Sequence, residues 1–124
     1  MSLKRRKPIR IAVLGAGLIG RKHIETIQRN PNFEMMGIAD VNVDAVQNIF
    51  PEIRVYSSVS DLLDNQPDAA LIALPNKEHA RVGIECAQRA IPFLMEKPVT
   101  DNMAVSYTHL RAHETVLDLV CRLL

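Results

Sequence analysis

Ile9-Arg10-Ile11-Ala12-Val13-Leu14-Gly15-Ala16-Gly17-Leu18-Ile19-Gly20 decides the fold. A short apolar run breaks into three glycines spaced G-x-G-x-x-G, and a helical pattern follows at once, from Leu18 to Arg29, stopped by Asn30-Pro31. A second apolar run, Phe33 to Ala39, is closed by Asp40, 20 residues after Gly20. Strand, glycine turn, helix, strand and acid in this order describe a dinucleotide-binding βαβ unit. Gly15 allows the tight turn off the strand. Gly17, lacking a Cβ, lets a pyrophosphate approach the backbone, and Gly20 lets the helix lie close on the sheet. The helix N-terminus offers free N–H groups and the positive end of its dipole to the phosphates. A glycine turn alone can also arise from packing, with Asp40 capping a loop; the ordered elements around it favour the nucleotide reading.

Working outward, strand and helix patterns keep alternating. Asn42 is placed to cap a short helix through Phe50, and Ile53–Tyr56 reads as a third strand. Ser58 and Asp61 are spaced like a capping box, ahead of a brief helix that buries Leu62 and Leu63. Ala69–Leu74 is a continuous apolar strand, Asn76 opens a helix to about Arg89, Ile91–Met95 is a fifth strand, and Thr100 starts another helical pattern. The expected fold is α/β, a doubly wound parallel sheet with right-handed crossovers. Ligands of such sheets bind beyond the carboxyl ends of the strands. That rim gathers Gly15–Gly20, Asp40, Pro75-Asn76 and Glu96-Lys97-Pro98.

Asp40 can accept hydrogen bonds from both ribose hydroxyls of an adenosine, whereas a 2′-phosphate would meet like charge. Val41-Asn42-Val43 supply no neighbouring cation, so NAD is favoured over NADP. His79 falls in the first turn of the helix that follows Leu74-Pro75, at the same edge; His23 lies inside the first helix and reads as a packed or surface residue. Glu96-Lys97-Pro98 is an unusual exit from an apolar strand. It is either a salt-bridged loop or a means of delivering Lys97 to the cofactor edge, with Pro98 fixing the backbone, as a cis bond in one version of that reading.

At 124 residues the chain has room for one modest domain. A net charge of +1 gives no reason to expect a nucleic acid partner, and Lys4-Arg5-Arg6-Lys7 reads as a solvated arm. No apolar stretch reaches the roughly 20 residues needed to cross a bilayer. Arg10 and the glycines break the resemblance of the N-terminus to a signal peptide. Cys86 and Cys121 offer neither a disulfide framework nor a metal set, so a reducing, cytoplasmic setting is expected. His109 and His113 are four apart, but no third ligand accompanies them and no metal is expected.

The segments IRIAVLGAGLIGRKH (9–23), GIAD (37–40), DAALIALPNKEHA (68–80) and FLMEKPVT (93–100) together resemble the start of the Gfo/Idh/MocA oxidoreductases, the family of glucose–fructose oxidoreductase and inositol dehydrogenase. The resemblance covers roughly Pro8 to Ala104. It implies that Gly15, Ala16, Gly17, Leu18, Ile19, Gly20 and Asp40 hold the adenosine diphosphate of NAD, and that Leu74, Pro75, Asn76 and His79 line the nicotinamide side. It further implies that Glu96 contacts the nicotinamide ribose, that Lys97 is catalytic at the reacting hydroxyl of a sugar or polyol, and that Pro98 is a cis proline beside the nicotinamide. Members of that family continue into a substrate domain through which they form homo-oligomers. A chain of residues 1–104 alone is therefore expected to be an incomplete dinucleotide-binding domain without turnover. The competing expectation is a stand-alone regulatory module that binds a nucleotide without catalysis. Residues 105–124, which contain SYTHLRAHETVLDLVCRLL, resemble translated sequencing-adapter DNA found at the ends of unrelated proteins, and a non-native origin is expected for them.

Overall fold

Five parallel strands carry four helices in the computed structural model, which describes residues 7–95. The order along the chain is β1 (Ile9–Leu14), α1 (Leu18–Gln28), β2 (Phe33–Ala39), α2 (Val43–Ile49), β3 (Val55–Tyr56), α3 (Val59–Leu63), β4 (Ala69–Ile72), α4 (Asn76–Gln88) and β5 (Phe93–Met95). In the sheet the order is β3-β2-β1-β4-β5. The chain therefore walks outward from β1 to β3, then crosses back to β4 beside β1. Between β1 and β4 lies the switch point at which open α/β sheets bind their ligands. The expected doubly wound parallel sheet is present.

Side-chain alternation explains why both faces are covered. Ile9, Ile11 and Val13 of β1 pack with Ile24 and Ile27 of α1 and Val46 of α2. Ala12 and Leu14 point the other way, to Leu62 and Leu63 of α3 and Val82 and Cys86 of α4. A five-residue helix such as α3 has no stability of its own, and the burial of its two leucines holds it in place. Burial also pushes the Cys86 thiol up to about 12, the behaviour of a packed cysteine and not of a reactive one.

Three strands are shorter than the sequence suggests, each because its backbone is engaged elsewhere. Before β3, the Ile53 N–H donates to the Phe50 carbonyl at 3.2 Å, and the Gln47 side-chain amide donates to the carbonyls of Phe50 (3.0 Å) and Ile53 (2.7 Å). Before β5, Ile91 N–H is bound by the Cys86 carbonyl at 2.9 Å, and Pro92 has no N–H to give. After β4, Ala73 still donates to the Leu14 carbonyl at 2.8 Å, but the Leu74 carbonyl is taken by His79 Nε2 at 2.7 Å. Asn42 stands at the N-cap of α2, yet its side chain makes no capping bond; Ser58 does cap α3, accepting from Asp61 N–H at 3.4 Å. The Glu96-Lys97-Pro98 exit, the Thr100 helix, the His109/His113 pair and residues 105–124 lie outside the described residues.

Helix α4 ends in a Schellman pair: Ala90 N–H donates to the Ala87 carbonyl at 3.0 Å and Ile91 N–H to that of Cys86. This places Ala90 at φ 57°, a conformation that glycine adopts without a Cβ clash. Ala90→Gly is therefore expected to raise stability by about 1 kcal/mol, read as an upward shift of the urea midpoint at unchanged slope. No shift would mean that the alanine is unstrained there.

Candidate functional site

The glycine turn sits at the carboxyl end of β1 and is tied to both neighbouring strands. Gly15, at φ 106°, donates its N–H to the Ala39 carbonyl of β2 at 2.8 Å. A Cβ on Gly15 would lie 2.6 Å from the Ala73 carbonyl oxygen just beyond β4, so the position tolerates no side chain. Gly20 is equally confined, facing the Gly15 carbonyl and the Ala73 Cβ. Gly17 differs: a Cβ there would meet nothing within 4 Å. Its openness is outward, as a cradle for a diphosphate requires. Leu18 and Ile19, 76% and 53% exposed, open α1 on that outer side. The first bond of the helix is Arg21 N–H to the Gly17 carbonyl at 2.9 Å, so the amides of Leu18, Ile19 and Gly20 precede the helical ladder. No acidic residue occupies that first turn, and its positive end meets no compensating carboxylate there.

Asp40 joins this turn to the next loop. One carboxylate oxygen accepts Ala16 N–H at 2.8 Å, the other Asn42 N–H at 2.8 Å. The loop-capping role is thus present, and because a carboxylate has more than two acceptor positions it does not exhaust the side chain. Arg21 adds a brace that the sequence reading missed: its Nε donates to the Ala16 carbonyl at 3.1 Å.

A cleft of about 440 Å³ opens beside Asp40, between the β2 end, the loop into α3 and the start of α4. Ala39, Asp40 and Val41 form one wall, Ser57 to Ser60 another, and Leu74, Pro75, Glu78, Arg81 and Glu85 the third. Pro75, not Asn76, takes the N-cap position of α4, with its carbonyl accepting Glu78 N–H at 2.9 Å; Asn76 is the first residue inside the helix. His79 Nε2 lies 2.7 Å from the Leu74 carbonyl. A carbonyl only accepts, so the ring carries its proton on Nε2 and is turned onto its own loop. Of the expected rim, Gly15–Gly20, Asp40, Pro75 and the backbone of Asn76 are gathered at one edge, with Leu74 beside them; Glu96, Lys97 and Pro98 lie outside the described residues.

No cation adjoins Asp40 along the chain, but Arg81 of α4 lines the same cleft. Its guanidinium is bound by Glu78 at 2.5 Å and Glu85 at 3.1 Å. That hydrogen bond from Arg81 holds the Glu78 carboxyl below the usual carboxylate range and raises the guanidinium in turn. The 78/81/85 spacing places these side chains along one face of α4. Only the sheet order brings the start of α4 opposite the end of β2. Among the described residues, no group of three or more His, Cys, Asp or Glu side chains could hold a metal, and no helix is long and apolar enough to cross a membrane.

Known proteins agree with this architecture. Inositol 2-dehydrogenase from Arthrobacter sp. (strain FB24) is 30% identical over 111 residues, covering 86% of this chain and 33% of the relative. The WlbA dehydrogenase from Bordetella pertussis, solved in complex with NADH and UDP-GlcNAcA, is 32% identical with a TM-score of 0.67, over 76% of this chain and 30% of that one. A probable dehydrogenase from Thermotoga maritima is 26% identical with a TM-score of 0.68, over 76% and 29%. The chain thus spans about a third of the length of such relatives. The pattern of the oxidoreductase family with an NAD-binding Rossmann fold matches residues 9–119, running past the Ala104 limit read from the motifs. The chain belongs to the Gfo/Idh/MocA oxidoreductase family.

Proposed function

We propose that the chain forms the dinucleotide-binding part of an oxidoreductase that moves hydride between a nicotinamide and a carbinol or carbonyl carbon of a sugar or polyol. The observation that carries this reading is the glycine turn at the β1/β4 switch point, open at Gly17 and tied through Ala16 to Asp40. Gly15 to Gly20 would hold the diphosphate and Asp40 the adenosine ribose, with NAD favoured over NADP. Leu74, Pro75, Asn76 and His79 would border the nicotinamide, His79 through the loop it braces. Bound nicotinamide supplies the hydride chemistry. Glu96 would reach the second ribose, and Lys97 would stabilise a developing alkoxide or relay its proton. A homo-oligomer of the longer protein belongs to the same proposal.

The test is a fluorescence titration with NADH. Saturable but weak binding to the 124-residue chain is expected, with no polyol-dependent NADH production, since these residues span about a third of the length of the dehydrogenases they resemble. In a protein that continues into a substrate domain, Lys97→Ala should lower kcat more than it raises KM for NAD. Absence of NADH binding would overturn the reading. Binding without oxidation of any polyol by the longer protein would favour a nucleotide-sensing module.

A further inference from the structure

The wall of the cleft opposite Asp40 is a charge cluster held from several sides. Arg81 Nη2 meets Glu78 at 2.5 Å and Nη1 meets Glu85 at 3.1 Å, so both arms of its fork are taken. Glu85 is itself fixed. Its other oxygen accepts the Ser60 hydroxyl at 2.6 Å, from the start of α3, and lies 3.5 Å from Arg89 Nη1. Three carboxylates, those of Asp40, Glu78 and Glu85, therefore face one guanidinium among the described residues that line this cleft.

A dinucleotide with a 2′-phosphate would bring close to two further negative charges into this space. Binding it calls for a guanidinium with free donors, the group best matched to phosphate geometry. Arg81 stands on the cleft wall, but each of its two terminal nitrogens is paired with a glutamate of α4. As an exposed pair network on a helix it adds little to stability. Its consequence is for selectivity, which arises as readily from withholding a partner as from offering one.

We propose that Glu78 and Glu85 are specificity-determining residues: by sequestering Arg81 they deny a cation to a 2′-phosphate and so reinforce Asp40 in selecting the unphosphorylated dinucleotide. This rests on the dinucleotide reading above. Removing the two negative charges without removing Arg81 should convert the wall into a phosphate-accepting one. Position in the fold makes the effect local, since neither glutamate touches the glycine turn.

The experiment compares 5′-AMP with 2′,5′-ADP as probes of the full 124-residue chain, by chemical-shift titration at fixed low ionic strength. Four chains are compared: the parent, Glu78→Gln, the double variant Glu78→Gln/Glu85→Gln, and the double variant with Arg81→Met added. The ratio of the two affinities should move towards 2′,5′-ADP by roughly threefold in the single and roughly tenfold in the double variant, about 1.4 kcal/mol in the latter. It should return towards the parent value when Arg81 is also replaced. The single variant keeps the Ser60–Glu85 contact and so guards against a folding defect in the double. An unchanged ratio in the variants overturns the proposal. So does a shift that survives Arg81→Met, which would assign the effect to the removed carboxylates alone. A parent chain that binds neither probe defeats the dinucleotide reading itself, and the proposal with it.

Discussion

Gly15→Ala should lose about 3–5 kcal/mol of folding stability, while Gly17→Ala, two residues away in the same motif, should lose almost none. At Gly15 the backbone is at φ 106°, and an added Cβ would stand 2.6 Å from the Ala73 carbonyl oxygen and 2.9 Å from its carbon. Neither partner can retreat. Ala73 N–H is fastened to the Leu14 carbonyl at 2.8 Å, and Gly15 N–H to that of Ala39 at 2.8 Å. Backbone strain of about 1–3 kcal/mol adds to an overpacking cost of similar size. Domains are stable by only about 5–15 kcal/mol in total. At Gly17, φ is −74° and the space is open. Its alanine variant should unfold within about 0.5 kcal/mol of the parent but bind ADP-ribose more than tenfold more weakly, because the Cβ would fill the space proposed for the diphosphate. Urea denaturation and a ligand titration on both variants check the pair. Equal midpoints for the two would overturn this account of the turn.

Asp40→Ala is expected to weaken NADH binding about 100-fold, near 2.7 kcal/mol, and to lower stability by about 2 kcal/mol. The carboxylate accepts from Ala16 and Asn42, both at 2.8 Å, and hydrogen bonds to charged groups contribute about 1.5–3 kcal/mol each when dry. Water replaces part of that at this half-buried site, so the stability loss falls below the sum. The binding loss is larger because, on the proposed reading, the ribose hydroxyls would lose their acceptor while the Ala16 amide loses its anchor. Amide hydrogen exchange separates the two effects: Ala16 should lose protection in Asp40→Ala in the absence of any nucleotide. Retained protection would show that the bond to Asp40 does not hold the turn.

The parts of the site that could be read from the sequence are those encoded by neighbours. Gly15 to Gly20 and Asp40 were legible because strand, turn and helix follow one another without interruption, and the limits of β1 and β2 agree with the apolar runs residue for residue. The length of β3 was not legible, because Ile53 is buried like a strand residue while its N–H and carbonyl are bound by Phe50 and Gln47. Arg81 was missed for a topological reason. Its spacing from Glu78 and Glu85 has the form of any solvent-facing ladder, and 41 residues separate it from Asp40 along the chain. The orientation of His79 onto Leu74 had no signal either, since a histidine in a first helical turn can face ligand, solvent or its own loop with equal ease.

The brevity of β3 also bears on how the molecule meets its own copies. One margin of the sheet ends in a strand of two residues, and the carbonyls of Phe50 and Ile53 just before it already hold the Gln47 amide. A foreign strand arriving there would find too few unclaimed N–H and C=O groups to start a ladder. Templated addition of strands, the route by which exposed sheet margins seed aggregates, is denied a footing on that side. Protection at this margin comes from leaving almost no strand to copy.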